Sequence, residues 1–307
     1  MEHGNNPLKT EICGVIFKNP VIGASGTFGY GLEYEPLLDL NRLGGLSVKG
    51  ISLHETDGNP MPRIRETASG MLNSIGLQNI GVDAFLKEKL PCLRRYDTKI
   101  IVNFWGKSVE EYVEVARILD SSDIDMLEMN ISCPNIKEGG LSFSADPEKT
   151  RAIVRAARKA VKNKPLIVKL SPNVTDIKAY ALVCEEEGAD ALSAINTLMG
   201  MAINVHTRKP WLANVTGGLS GPAIKPVAVR MVFDIYRSVK IPLIGLGGIM
   251  TYEDVIEFYL AGASAVQVGT ANFRDSETMI AIIDGLEKYC ADNNISALSE
   301  LTGGIVL

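Results

Sequence analysis

The chain has 307 residues, 46% of them hydrophobic and 22% charged. That balance fits a globular protein with a full buried core and excludes a disordered chain. The net charge of −5 excludes nucleic acid as the main partner, because a phosphate backbone needs a positive face, though it leaves room for a local basic pocket that takes a small anion.

In chain order, Glu11 to Lys18 predicts a short hairpin. Short, nearly continuous apolar runs then alternate with amphipathic stretches. The runs are Val21–Ala24, Leu46–Lys49, Ile100–Phe104, Met126–Asn130, Leu166–Leu170, Ala191–Ile195, Pro242–Gly245 and Ala265–Val268. Each reads as a strand buried on both faces. Ser108 to Leu119 predicts a helix with an N-cap serine and apolar residues at Val109, Tyr112, Val113, Ala116 and Leu119. Asp146 to Lys162 opens with a cap followed by proline at the first helical position, a strong start signal. Asp176 to Glu187 and Thr251 to Leu260 also begin at good caps, and Gly262 ends the latter.

Eight such units in a chain of this length predict an α/β fold, a (β/α)₈ TIM barrel whose bottom is closed by the N-terminal hairpin. An open doubly wound sheet would carry a GxGxxG turn after its first strand, and Gly23-Ala-Ser-Gly-Thr-Phe-Gly29 does not fit that spacing. There is no internal repeat, low-complexity tract or linker, so residues 1–307 read as a single domain. No apolar run reaches the roughly 18 residues of a membrane span. The first ten residues are polar, without an apolar signal core, and the expectation is a cytoplasmic protein with reduced thiols. Of five cysteines, none forms a CxxC pair or a Cys/His cluster of zinc-site spacing. Cys13, Cys92, Cys184 and Cys290 read as buried or incidental thiols, and no metal site is expected.

Barrel enzymes carry their chemistry at the C-terminal strand ends. Those ends here are polar: Ser25, Lys49-Gly50, Asn103, Asn130 followed by Cys133, Lys169, Asn196-Thr197, Gly247-Gly248 and Gly269-Thr270. Lysine is rarely buried without a partner, so Lys49 and Lys169 at one mouth point to an anion or an electron-rich ring, more than to two lysines that snorkel from the rim. The glycines after strands seven and eight open the backbone where such barrels often hold phosphate. His3, His54 and His206 show no ligand spacing. A phosphate-bearing cofactor with a polar ring set among amides suggests FMN.

At Asn130-Ile-Ser-Cys-Pro-Asn135 the chain resembles the dihydroorotate dehydrogenases, and among them the catalytic subunit of class 1B. The resemblance continues through Glu66 to Asn79, Val168 to Asp176, Ile195 to Gly200, Thr207 to Pro210 and Thr216 to Pro226, and covers about residue 8 to the C-terminus. It implies FMN contacts at Ser25, Lys49, Gly50, Asn103, Asn130, Lys169, Ile195, Gly221, Gly247, Gly248, Gly269 and Thr270. It implies substrate contacts at Lys49, Asn73, Ser74, Ile75, Gly76, Leu77, Asn130, Asn135, Asn196 and Thr197, with Ser132 to Ser144 as a closing loop. It implies the reaction: (S)-dihydroorotate becomes orotate in pyrimidine (UMP) biosynthesis, the C6 hydride passing to flavin N5 and the C5 proton to Cys133. It also implies a partner subunit with FAD and a [2Fe–2S] cluster that passes electrons to NAD⁺, on a homodimer core within a heterotetramer. One departure is Phe104-Trp105 after Asn103, where small residues are expected; outward packing against a helix is the favoured reading of this pair. The alternatives are a fumarate-dependent class 1A enzyme, a reductase of free pyrimidine bases, and a non-enzymatic flavin-binding scaffold.

Overall fold

The computed structural model describes residues 6–131 and 146–307. Cys133, Asn135 and the expected closing loop, 132–144, lie outside the described residues. The chain opens with a hairpin, β1 (Thr10–Ile12) and β2 (Val15–Phe17), paired from Thr10↔Phe17 to Ile12↔Val15. β3 (Val21–Gly23) and β4 (Gly45–Ile51) follow, then an antiparallel pair, β5 (Ile64–Thr67) and β6 (Gly70–Asn73). Two short helices, α1 (Val82–Ala84) and α2 (Leu90–Leu93), flank a π-helical segment, Phe85–Lys89. Regular alternation runs through β7 (Lys99–Phe104), α3 (Val109–Asp120), β8 (Met126–Asn130), α4 (Pro147–Ala160), β9 (Leu166–Lys169), α5 (Ile177–Glu186) and β10 (Ala191–Ala194). A second excursion comprises β11 (Leu198–Met201), β12 (Ile203–Asn204), β13 (Lys209–Pro210) and β14 (Thr216–Ser220). The chain ends with α6 (Lys225–Tyr236), β15 (Leu243–Leu246), α7 (Tyr252–Ala261), β16 (Ala265–Val268), α8 (Ala271–Arg274) and α9 (Thr278–Asp292).

Eight parallel strands close in the order β3-β4-β7-β8-β9-β10-β15-β16, a TIM barrel. All eight apolar runs became its strands. The seventh starts one residue late, at Leu243; Pro242 has no N–H to give the ladder and serves only as an acceptor, for Leu192 N–H at 2.9 Å. The expected helix starts are made by the expected caps. Ser108, Asp146 and Asp176 accept from backbone N–H groups of Glu111, Glu148 and Lys178, satisfying donors that a helix start leaves orphaned. Thr251 and Asp254 form a capping box, and Gly262 closes α7 in the left-handed region.

Inward-facing residues repeat every second position along each strand, which sorts the interior into tiers. The lowest is apolar: Ile22, Ile101, Met126, Ile167, Ala191, Ile244 and Ala265, with Ile12 and Phe17 of the hairpin in the same cluster. The hairpin thus plugs the bottom. The middle tier is polar and buried: Ser47, Asn103, Glu128, Ser193 and Gln267. Above it lies the mouth, walled on one side by a four-stranded antiparallel sheet, β11-β14-β6-β5. The sequence reading had assigned no strands to that sheet, nor helices to α6 and α9.

Candidate active site

Two adjoining cavities open at the C-terminal mouth. One, about 530 Å³ including space open to solvent, is lined by Ile195, Gly221, Gly247, Gly248, Gly269 and Thr270. The other, about 1050 Å³ and open to solvent, is lined by Lys49, Gly50, Asn73, Ile75, Gly76, Leu77, Asn103 and Asn130. Ser25, Lys169, Asn196 and Thr197 line both. The structure therefore brings to one place every described residue expected there, save one. Ser74 lies outside the lining, fully buried, with its Oγ unpartnered; alternation along β6 and beyond turns it away from Asn73 and Ile75.

The glycine-rich cavity is shaped by backbone. Gly248 has φ +80°, and a Cβ there would meet Gly221 O at 2.8 Å and Lys225 N at 2.9 Å. Only glycine takes this conformation without strain and lets two loops approach so closely. Thr270 Oγ1 donates to Ser220 Oγ at 2.7 Å, joining the loop after β16 to the end of β14. The Ala194–Ile195 peptide bond at the cavity wall is cis.

Lys49 points into the larger cavity with no hydrogen bond or ion pair from its ammonium among the described residues. Burial pushes its pKa below the ordinary lysine value, the Arg63 charge adds to this, and Glu33 partly offsets it. A desolvated cation without a counter-ion is a receptor for an anion. Around it stand amides. Asn73 Nδ2 lies 3.5 Å from Gly218 O, at the limit of a hydrogen bond. Asn196 Oδ1 accepts from Thr197 N–H at 2.7 Å. Asn173, to which no role had been given, donates from Nδ2 to Thr197 O at 2.9 Å and accepts from Met199 N–H at 2.9 Å. It ties the loop after β9 to the start of β11.

Beneath the mouth is a polar network that the sequence reading missed. Glu128 on β8 is 0% exposed. Its Oε1 accepts from Asn103 Nδ2 at 2.6 Å and lies 3.5 Å from both Ser25 Oγ and Lys169 Nζ. Its Oε2 accepts from Gln267 Nε2 of β16, four strands away on the opposite wall. Lys169 Nζ also donates to Ser25 Oγ at 3.0 Å. Asn103 Oδ1 and Gln267 Oε1 are buried without partners among the described residues. A charged residue inside the apolar run Met126-Leu-Glu-Met-Asn130, two positions before a mouth residue, was the available signal.

Phe104 and Trp105 are buried, and Phe104 packs edge-on against Tyr112 of α3, ring centroids 6.1 Å apart. That is the outward packing expected of Phe104. Trp105 is buried in the same hydrophobic cluster as Phe104 and Tyr112; its Cδ1 would lie 3.3 Å from a Cβ at Gly50, and its Nε1 is buried without a partner among the described residues. Burial pushes the Cys13 thiol up to about 11, with the Asp190 charge adding to it, and pushes up Cys184 and Cys290, so these thiols stay protonated and unreactive.

The family model for dihydroorotate dehydrogenase matches residues 7–290. The chain belongs to the dihydroorotate dehydrogenase family. Among similar curated proteins, one from Geotalea uraniireducens is 54% identical over 304 residues, covering 99% of each chain. One from Alkaliphilus metalliredigens is 54% identical over 298 residues, covering 97% of this chain and 98% of its own. One from Caldicellulosiruptor saccharolyticus is 52% identical over 298 residues, covering 97% and 99%. All three are named dihydroorotate dehydrogenase B (NAD(+)), catalytic subunit. Among the described residues no helix is long and apolar enough to cross a membrane.

Proposed function

We propose that residues 1–307 form one FMN-binding domain that oxidises (S)-dihydroorotate to orotate for pyrimidine synthesis, as the catalytic subunit of an NAD⁺-linked enzyme. The observation that carries this reading is the unpaired, half-buried Lys49 ammonium facing a cavity edged by Asn73, Asn130 and Asn196. Dihydroorotate has one carboxylate and a ring of alternating N–H and C=O groups. Lys49 suits the carboxylate, and each asparagine amide offers both a donor and an acceptor to the ring.

The residues present fit FMN. The glycine-rich cavity, with its left-handed Gly247 and Gly248, suits a phosphate held by backbone N–H groups. The shared wall of Ser25 and Lys169 suits the polar edge of the ring, beside a larger chamber for substrate. When bound, the flavin supplies an acceptor for the substrate's C6 hydride. Lys169 then stabilises negative charge that the acceptor gains, and fixed donors of this kind need no reorganisation during reaction. Cys133 is the base for the C5 proton. A thiol has an unperturbed pKa of about 8.5, close enough to neutrality for a neighbouring cation to hold a useful thiolate fraction.

Electrons leave through a partner subunit with FAD and a [2Fe–2S] cluster, on a homodimer core, in the cytoplasm. The name "catalytic subunit" borne by the relatives supports a division of this kind. Stopped-flow absorbance tests it. The isolated chain, loaded with FMN, is expected to bleach with dihydroorotate and to be reoxidised by NAD⁺ only after the partner is added. Rapid reoxidation by fumarate would instead make it a class 1A enzyme, and efficient NAD⁺ turnover by the chain alone would overturn the division of labour.

A further inference from the structure

We propose that Glu128 is a positioning residue whose buried carboxylate fixes Lys169 and Asn103 at the floor of the barrel mouth and offsets the Lys169 charge there. This inference rests on the FMN reading above. The geometry is that of a hub. One carboxylate, shut off from solvent, draws an amide from the neighbouring strand, an amide from the opposite wall, a hydroxyl from the loop after β3 and an ammonium from β9. An ionised carboxylate can only accept, and every atom turned toward it here can donate.

Each of these groups has a second face. Asn103 gives one amide N–H to Glu128, and its Oδ1 is buried, without a partner among the described residues, 2.9 Å from where a Cβ at Gly50 would lie. Lys169, 4% exposed, donates to Ser25 Oγ at 3.0 Å, lies 3.5 Å from the Glu128 carboxylate and lines both cavities. The carboxylate therefore decides which way an amide and a cation point. It also sets the field at the mouth. A lone Lys169 cation would strongly favour negative charge on the bound ring; paired with Glu128 it does so more weakly. Glu128 need not touch the flavin or the substrate for this.

Sulfite reads that field directly, because its reversible addition to oxidised flavin places negative charge on the ring and bleaches the absorbance. The full-length chain, reconstituted with FMN, is titrated with sulfite as wild type, Glu128→Gln, Lys169→Met and the double variant. Losing one unit charge inside a poorly screened interior changes such an equilibrium on the order of tenfold. Glu128→Gln is expected to tighten sulfite binding about tenfold and Lys169→Met to weaken it about tenfold. The double variant, which leaves no unpaired ion and folds even where Glu128→Gln alone does not, is expected within about threefold of wild type. A purely structural role for Glu128 would weaken FMN and sulfite binding together in every variant that lacks it. The inference fails if Glu128→Gln binds sulfite as wild type does or more weakly, or if the double variant matches Lys169→Met. A wild-type chain that takes up no FMN would overturn the flavin reading and this inference with it; a normal wild type with an unshifted Glu128→Gln overturns this inference alone.

Discussion

Gly248→Ala tests whether the loops after β14 and β15 form the phosphate end of the flavin site. Gly248 sits at φ +80°, where a Cβ costs about 1–2 kcal/mol. The new methyl would lie 2.8 Å from Gly221 O, 2.8 Å from Lys225 Cβ and 2.9 Å from Lys225 N. Two of these three are backbone atoms, so the loops must part by several tenths of an ångström. The strain alone lowers the stability of the FMN-free protein by roughly 1–3 kcal/mol, read as a lower midpoint in urea denaturation. Parting the loops also loses at least one charge-assisted hydrogen bond to phosphate, about 1.5–3 kcal/mol, or about 10- to 150-fold in FMN affinity. FMN fluorescence quenching measures that loss. Wild-type FMN affinity in Gly248→Ala would refute the assignment of this loop pair to phosphate.

Cys133→Ser is expected to slow flavin reduction by dihydroorotate about 10²-fold or more at neutral pH while FMN binding is unchanged; an undiminished rate removes Cys133 as the base. Lys49→Met is expected to raise the KM for dihydroorotate about 10- to 100-fold, the worth of a charged hydrogen bond. Because the folded-state pKa of Lys49 is depressed, chiefly by burial, the ligand-free wild type gains stability as pH rises through that value toward the unfolded lysine value. Lys49→Met should lose this slope and melt higher at neutral pH, which a series of melting curves checks. Asp120 shows the opposite sign. Burial pushes its carboxyl up, but N–H groups of Lys162, Asn163 and Lys164 and the Asn163 side chain outweigh this and hold it below the usual range. Its stabilisation is present above the unfolded value of about 3.9 and lost as pH falls through the lower folded value. Asp120→Asn is expected to cost on the order of 1–3 kcal/mol at neutral pH and to flatten that acid limb in denaturant titrations.

The barrel was legible because its strands are buried on both faces, so their apolar runs stand out without knowledge of the partner strand. Helix starts were legible because Ser108, Asp146, Asp176 and Thr251 act on backbone within three residues of themselves. The sheet over the mouth was not. Three of its four strands, Ile64-Arg-Glu-Thr67, Gly70-Met-Leu-Asn73 and Thr216-Gly-Gly-Leu-Ser220, are charged or glycine-rich, and all four are short. Glycine normally marks a turn or weakens a strand. Here Gly217 and Gly218 are needed because β14 passes so close to its neighbours that a Cβ would lie 2.5 Å from Asn73 O or 2.0 Å from Thr197 Oγ1. A close approach between segments some 145 residues apart leaves no local pattern to read.

The same contrast separates the site residues that were found from those that were not. Strand ends were inspected for polarity, which finds Lys49, Asn130 and Lys169 but stops one inward-facing position short of Glu128 and Gln267. Those two sit in the middle tier, where a barrel normally packs branched apolar side chains. A buried ion pair is weak as a source of stability, and well-packed apolar groups in its place are often neutral or stabilising. The fold itself therefore gives no reason for Glu128, Gln267, Asn103 and Lys169 to meet inside the barrel. The apolar tier below, sealed by Ile12 and Phe17, already closes the core. What the polar tier adds is a fixed floor for the mouth: Asn103 and Lys169 are held from beneath, and both line the cavity that Lys49 enters. A barrel that bound nothing at this mouth would be at least as stable with leucine and methionine at those four positions. Their presence is thus a statement about the ligand, and the opposite signs expected for Glu128→Gln and Lys169→Met are its direct measure.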